Sequence, residues 1–351
     1  MRNLFSVICR DPPALAGHLT NLSGLILCFI LCVLTASCMV HQEALTILGG
    51  DITIPKLENF EVTGGRELRA VFSRPVKILS ARAVTANENP ENLNITFPDE
   101  QEASEVSFFL EYDMETGAKA VLSALVADKK GNTLSFSVPF SGYNNCPAEL
   151  LINELRAVYS KPKVEYIEFL VLGSGNLSGI EVFNAMNPDN PYIFPAAEVT
   201  AGEFIILHLR SIEDGILDEI TTEIISGGTE ASPHARDFWA VHIPNKVPLK
   251  PTSVIIVRER ENGRIMDAVL CIQEGSEVWP NDTVKKYAEL AAETGAWHPS
   301  ALTEDAVVMP NSSATTRSLG RNEYSDDSNG APDWKFCATG KYSPGKVNEP
   351  H

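Results

Sequence analysis

Between Glu58 and Phe140 the pattern is β: in successive runs apolar side chains recur at every second position, and that period decides what this part of the chain can become. Leu68, Ala70 and Phe72 alternate with Glu67, Arg69 and Val71 until Pro75 interrupts them. Val106, Phe108, Leu110 and Tyr112 share one face of another strand. Ala124–Ala127 runs into Asp128-Lys129-Lys130-Gly131-Asn132, after which Leu134, Phe136, Val138 and Phe140 alternate with Ser135 and Ser137. Successive side chains of a strand point to opposite faces, so a period of two buries one face and wets the other. A Gly-Asn turn between two such runs predicts a hairpin. Short strands about 8–12 residues apart, with no helix between them, predict an antiparallel sandwich.

Ser141–Pro147 (SGYNNCP) is dense in turn formers and marks a boundary. Beyond it, strands are predicted at Leu151–Val158, Val164–Leu172, Gly179–Asn184, Glu203–Arg210, Phe238–His242, Thr252–Arg258 and Met266–Ile272. Glu259–Arg264 reads as a hairpin turn on Asn262-Gly263. One helix interrupts the series: Asp282 can cap it, Val284, Tyr287, Ala288 and Ala291 share a face, and Gly295 can end it. That helix reads as a surface helix laid over a sandwich. Residues 310–334 are rich in Ser, Asn and Asp and read as loop, residues 39–51 as linker, with a short strand expected at Asp51–Ile54. The fold class expected is all-β, with two sandwich domains in tandem after an N-terminal segment.

That N-terminal segment is apolar. Residues 12–42 hold no Lys, Arg, Asp or Glu, and Leu22–Cys38 follows a leader carrying only Arg2, Arg10 and Asp11 as charges. A weakly cationic start, an apolar run and small residues before a cysteine (Thr35-Ala36-Ser37-Cys38) make the pattern of an export signal over residues 1–38, with lipid on Cys38. Two other readings fit the same residues. Leu22–Val40 approaches the roughly 20 residues that span a bilayer as a helix, and a plain secretory signal could be cut near Ala36. All three place the rest of the chain outside the cytoplasm, and the lipid-anchored reading puts it at a cell or outer membrane, facing periplasm or extracellular space.

Without residues 1–37 the chain keeps 314 residues, 26 basic and 45 acidic, a net charge of −19. Such a balance offers no attraction to phosphate backbones or anionic membrane surfaces, so nucleic acid is not an expected partner. Four of the seven cysteines (Cys9, Cys28, Cys32, Cys38) lie in the first 38 residues. Cys146, Cys271 and Cys337 permit at most one disulfide, and their spacings match no zinc site. Buried thiols are the other reading of those three.

Leu68–Ile78 (LRAVFSRPVKI) resembles bacterial Ig-like domains, in which a strand ends in Phe-Ser-x-Pro-Val. From Leu151 the chain resembles the lamin tail domain family, a small Ig-like β-sandwich of exported bacterial proteins. The family's groups keep their order here. They are Leu151-Ile152-Asn153-Glu154-Leu155, Glu165-Tyr166-Ile167-Glu168-Phe169, Asn176-Leu177-Ser178-Gly179-Ile180, Phe194-Pro195 with Gly202–Leu207, Ser318-Leu319-Gly320-Arg321, Asp333-Trp334, and Ser343-Pro344-Gly345-Lys346-Val347-Asn348. Ile180 stands where the family has Trp, and extra length falls at Ser211–Arg236 and Asn281–Pro310. The resemblances imply an Ig-like domain at 52–142 and a lamin-tail-like domain at 148–349.

Catalytic signatures fail on inspection. Gly173–Gly179 lacks the spacing and the following helix of a dinucleotide loop. His208, His234, His242 and His298 form no H-E-x-x-H, and a Ser/His/Asp triad could only assemble from distant residues. Glu154, Glu165 and Glu168 could be read as a carboxylate cluster, but read better as strand residues bonded to loops or facing water. Asp326–Gly330 is oxygen-rich, yet an EF-hand alignment puts Ser325 and Phe336 where Asp and Glu are required, leaving a polar turn or a loose Ca²⁺ site. No cofactor, metal or catalytic residue is expected. The expected function is that of a lipid-anchored, non-enzymatic cell-envelope protein binding a protein or glycan through sandwich loops. An envelope hydrolase, or an accessory subunit of one, with a site that follows no motif is the alternative. Carbohydrate binding through Trp239, Trp279 or Trp297 is a third.

Overall fold

The computed structural model describes residues 53–98, 102–240, 249–260, 263–311, 316–322 and 327–348. The leader, Cys38, His242, Asn262 and Asp326 lie outside the described residues. Strand outweighs helix by 44% to 7%, which makes the protein all-β.

The first seven strands are β1 (Leu57–Val62), β2 (Glu67–Thr85), β3 (Asn92–Leu93), β4 (Ile95–Thr96), β5 (Ala103–Leu110), β6 (Lys119–Ala127) and β7 (Thr133–Ser141). No strand is found at 53–56; β1 begins at Leu57. Pro75 does not end a strand. β2 runs 19 residues through it, with a register shift between Val71 and Val76. The first half of β2 pairs with β1 and β5, the second half with β3 and β6. Pro75 removes one donor, and the bulge around it lets a single strand turn from one layer to the other. The alternating faces then meet as a core of Leu68, Phe72, Val106, Phe108, Leu122 and Phe140. The predicted hairpin is present: Asp128 accepts from the Lys130 and Asn132 amides, and Gly131 takes φ +86°.

The remaining elements are β8 (Glu149–Arg156), β9 (Tyr166–Gly173), β10 (Gly175–Asn176), β11 (Ile180–Asn184), β12 (Tyr192–Ile193), β13 (Glu198–Val199), β14 (Phe204–His208), β15 (Arg236–Trp239), β16 (Ser253–Glu259), β17 (Ile265–Gln273), α1 (Asp282–Glu293), β18 (Val307–Met309), β19 (Leu319–Arg321) and β20 (Trp334–Phe336). They make a five-stranded sheet, β12-β11-β16-β17-β18, a six-stranded sheet, β15-β14-β9-β8-β19-β20, and a two-stranded pair, β10-β13. Two edges are parallel, β14 with β15 and β17 with β18, where an antiparallel sandwich is the expectation. Residues 310–334 are not all loop, because β19 and the start of β20 close the six-stranded sheet.

The five-stranded sheet is buried on both faces. One face meets the six-stranded sheet, and the other lies under α1, whose Val284, Ala288 and Ala291 join the same core. This is why Val254–Val257 and Ala268–Ile272 are continuous apolar runs rather than alternating ones. Asn281, not Asp282, caps α1, its side chain accepting from the Val284 amide at 2.9 Å. Asp282 is the first helical residue.

The two cores are joined through the turn-rich boundary. Asn144 Nδ2 donates to the carbonyls of Asn176 and Ser178, each at 2.8 Å. The Asn176 amide donates to the Cys146 carbonyl, and a Cβ at Gly175 would sit 2.5 Å from that oxygen. Asn144→Ala removes two buried hydrogen bonds from the junction. The expected cost is about 1–2 kcal/mol, read as a lower denaturation midpoint together with faster amide exchange at Asn176–Ser178.

Candidate binding cleft

The outer face of the six-stranded sheet is the unusual surface of this molecule. Alternation sends Ile167, Phe169, Leu207 and Phe238 into the sandwich core. The same alternation sends Tyr166, Glu168, His208, Asp237 and Trp239 to the opposite face, where all are still buried. Two stretches cover them, residues 211–235 and residues 342–348.

The second stretch is tied down by motif residues from far apart in the chain. Glu154 accepts from the Tyr166 hydroxyl at 2.7 Å, from the Ser318 hydroxyl, and from the Ser343 amide at 3.0 Å. Glu168 accepts from Asn153 Nδ2 at 2.9 Å and from the Gly345 amide. Asn348 Nδ2 donates to the carbonyls of Asn153 and Arg321. Arg321 donates to the Ile152 carbonyl and to Asp267, and lies 4.8 Å over the Trp334 ring. Glu165 pairs with Arg210 through two bonds. The three glutamates therefore bond to loops and side chains, as read from the sequence, but none faces water: each is at most 2% exposed. Burial and the charges of Glu154 and Glu168 hold the Tyr166 phenol well above its usual range, so it stays a donor.

Asp267 is fully buried beside Arg321 and accepts from the Ile152 and Ala268 amides. Burial pushes its carboxyl up to about 6, against the pull of Arg321 and the amides. A carboxyl raised in the folded state adds stability that is complete below its unfolded value, near 3.8. That stability is lost as pH rises through about 6. The native protein should therefore lose melting temperature between pH 4.5 and 7 relative to Asp267→Asn, whose neutral side chain removes this slope. Parallel thermal curves for the two proteins would remove the assignment.

The first stretch, 211–235, folds around Glu219, which accepts from the Ile225, Ser226 and Asp237 amides. Asp237 bonds to His208 Nε2 at 2.6 Å and accepts from the Ser232 amide at 2.7 Å. The His208 ring stacks on Trp239 at 3.9 Å, and the indole donates to Ser226. Between the two stretches lies a cleft of about 330 Å³, lined by Arg156, His208, Glu230, His234, Tyr342 and Lys346 among others. Arg156 donates to the Val164 carbonyl at 2.8 Å and pairs with Glu230. Arg156 Nη1 and His208 Nδ1 are buried with no protein partner.

The side chains around His208 are not arranged as a Ser/His/Asp triad. Ser232 lines the cleft, but its hydroxyl donates to the Pro344 carbonyl, and the nitrogen left free on His208 holds no hydroxyl. A triad needs its serine bonded to the ring nitrogen opposite the aspartate. Trp239 and Trp297 are buried and cannot present faces to a sugar; Trp239 is clamped under His208 and Trp297 is fully enclosed in the core. Trp279 is partly buried and donates to the Ala301 carbonyl. Asp327 bonds Arg321 at 2.6 Å rather than standing free for a cation, and among the described residues no cluster of acids, histidines or thiols is arranged to hold a metal. The three body thiols are free. Cys146 is exposed, Cys271 and Cys337 are buried, and burial pushes Cys271 up to about 12.

Sequence reasoning singled out His208 and Glu154 but not their neighbours Arg156, Glu230 and Asp237. The available signal was the alternation Tyr166-Ile167-Glu168-Phe169, which places polar side chains on a second face that only loops can cover.

Residues 148–336 match the family described as TP_1001 protein second domain. An uncharacterized protein of Treponema pallidum (strain Nichols) is 36% identical over 190 residues, 52% of this chain and 48% of that protein. The chain thus spans about half the length of that curated relative. Among solved structures, the N-terminal part of the bacterial S-layer protein SbsC shares 13% identity at a TM-score of 0.25, covering 62% of this chain and 44% of that one. A DUF4876 family protein from Bacteroides thetaiotaomicron shares 11% at 0.27, covering 76% and 89%. Likenesses at that level carry no argument about fold or function.

Proposed function

The chain belongs to the TP_1001 protein second domain family, and from that premise we propose that it is an exported, non-enzymatic binding module of the cell envelope, held by lipid on Cys38. Its binding surface is the loop-lined cleft on the outer face of the six-stranded sheet. The observation that carries this reading is the cleft itself, where two buried nitrogens, on Arg156 and His208, have no protein partner. Recognition sites are commonly loops held by a rigid sheet, and a buried polar atom without a partner is rare enough to call for one. The first sandwich is Ig-like and serves to set the second away from the membrane. The second is lamin-tail-like, a reading supported by the meeting of Asn153, Glu154, Glu168, Ser318, Arg321, Ser343 and Asn348 in one network.

The hydrolase alternative draws on the His208–Asp237 pair. It is tested by assaying the full chain against p-nitrophenyl phosphate, acetate and glycosides beside His208→Ala. Turnover that disappears in the variant would replace the binding reading with an enzyme. The anchor is tested by metabolic labelling with a palmitate analogue. Label on the native protein and none on Cys38→Ala supports it; equal labelling, or none, removes it.

A further inference from the structure

We infer that the cleft is a carboxylate subsite, and that Glu230 is a resident stand-in which an acidic ligand displaces; the inference rests on the cleft being the binding surface proposed above. The geometry around Arg156 carries it. The guanidinium carbon lies 4.7 Å from the Tyr166 ring centroid and 5.1 Å from that of Tyr342. The two rings crowd the guanidinium and leave little of the group open to further partners. A planar carboxylate is the partner that matches an arginine edge, through two parallel N–H···O bonds. Nε is taken by the Val164 carbonyl and Nη2 by Glu230, while Nη1 has no partner in the protein. Glu230 therefore fills only part of what this arginine can hold.

Glu230 is also the replaceable member of the pair. Arg156 is 2% exposed, locked between strand and rings, whereas Glu230 sits on the covering stretch 211–235 and is 13% exposed. A small rotation of its side chain would free the arginine edge without moving a strand. The surroundings favour an anion over a neutral visitor. Arg156 and Lys346 line the cleft, and Lys163 lies 4.5 Å over the Tyr342 ring and donates to its hydroxyl. Glu230 is the carboxylate that lines the cleft itself; Asp237, Glu154 and Glu168 stand behind its wall, each already held by hydrogen-bond donors. His208 adds a second requirement. Asp237 takes Nε2, which leaves Nδ1 buried with no partner, a place that a hydroxyl can fill as donor or acceptor. A ligand that pairs its carboxylate with a nearby hydroxyl answers both orphaned nitrogens, so the class inferred is a hydroxylated carboxylate such as a sugar acid.

The test is isothermal titration of the full chain with D-glucuronate, beside D-glucose and inorganic phosphate. Glucuronate is expected to bind, glucose not to bind, and phosphate, which also pairs with an arginine edge but carries no separate hydroxyl arm for His208 Nδ1, to bind at least about tenfold more weakly. Glu230→Gln removes the internal competitor and should tighten glucuronate about tenfold, whereas Arg156→Gln should weaken it by at least that factor. Lys346→Ala, an exposed change that leaves the fold untouched, should weaken it about threefold. The inference is overturned if glucuronate binds neither the native chain nor Glu230→Gln, if glucose or phosphate binds as well, or if Glu230→Gln weakens binding. Any of those results with no turnover in the hydrolase assays removes the carboxylate subsite and leaves the binding module standing; turnover abolished by His208→Ala removes the binding module itself.

Discussion

Arg321→Ala lowers the stability of the second sandwich by about 3–5 kcal/mol at neutral pH, the range for leaving one member of a buried ion pair without its partner. The residue is 3% exposed, and it holds three things together. It donates to the Ile152 carbonyl at 2.9 Å, neutralises Asp267 at 2.8 Å, and covers the Trp334 ring. Its loss strands a buried carboxylate whose ionised form is already disfavoured by burial. The sign with pH follows from that. Without the cation the folded-state carboxyl rises further, so the variant regains part of its stability below about pH 5, where Asp267 carries a proton, and loses it as pH rises. Urea midpoints at pH 5 and pH 7.5 check both statements. A deficit that does not shrink on acidification would show that Arg321 acts through packing on Trp334 rather than through Asp267.

Trp297→Ala costs about 3–5 kcal/mol, the range for truncating a large aromatic in a close-packed core. The side chain is fully enclosed, its Nε1 donates to the Asp305 carbonyl at 3.2 Å, and its backbone amide bonds the Ala291 carbonyl just past the end of α1. It anchors α1 against the five-stranded sheet. Its removal should therefore detach that helix, seen as lost helical ellipticity and as proteolytic cleavage near residues 281–300. Affinity in the cleft should be unchanged in whatever fraction remains folded, because the cleft lies on the opposite sheet. A glycan-binding role for this tryptophan predicts the reverse, lost affinity at unchanged stability.

How much of this was legible beforehand depended on how each residue met its neighbours. The two-residue period located β5 and β7, β6 was legible only as the apolar run Ala124–Ala127 leading into the turn, and the hairpin at Gly131 was written in its turn residues. The double burial of β16 was not visible as such, since Val254–Val257 reads the same whether the second cover is a helix or another sheet. Pro75 misled because a proline commonly ends pairing, whereas here it sits at the bend of a strand shared between two layers. Glu154 and Glu168 were recognised as part of a fold pattern. Their burial was not, because the partners that bury them, Ser318, Ser343 and Gly345, lie 164 to 189 residues away. The cleft was illegible for the same reason. Arg156 and Glu230 meet across 74 residues, and nothing near either one announces the other.

Those separations also set a timetable for biogenesis. The first sandwich contains everything it needs once Ser141 has emerged, so it can form while the rest of the chain is still being made or threaded. The second cannot. Its first strand, β8, is capped by Asn348, 195 residues downstream of Asn153, and its network of buried acids is incomplete until Ser343 and Gly345 arrive. Contacts of such long range close slowly, and meanwhile the twice-covered strands β16 and β17 stand open on both sides. A chain made in this order passes through a stage with one finished module followed by a long adhesive tail, and holding that tail apart until its last residues appear becomes the work of whatever machinery delivers it.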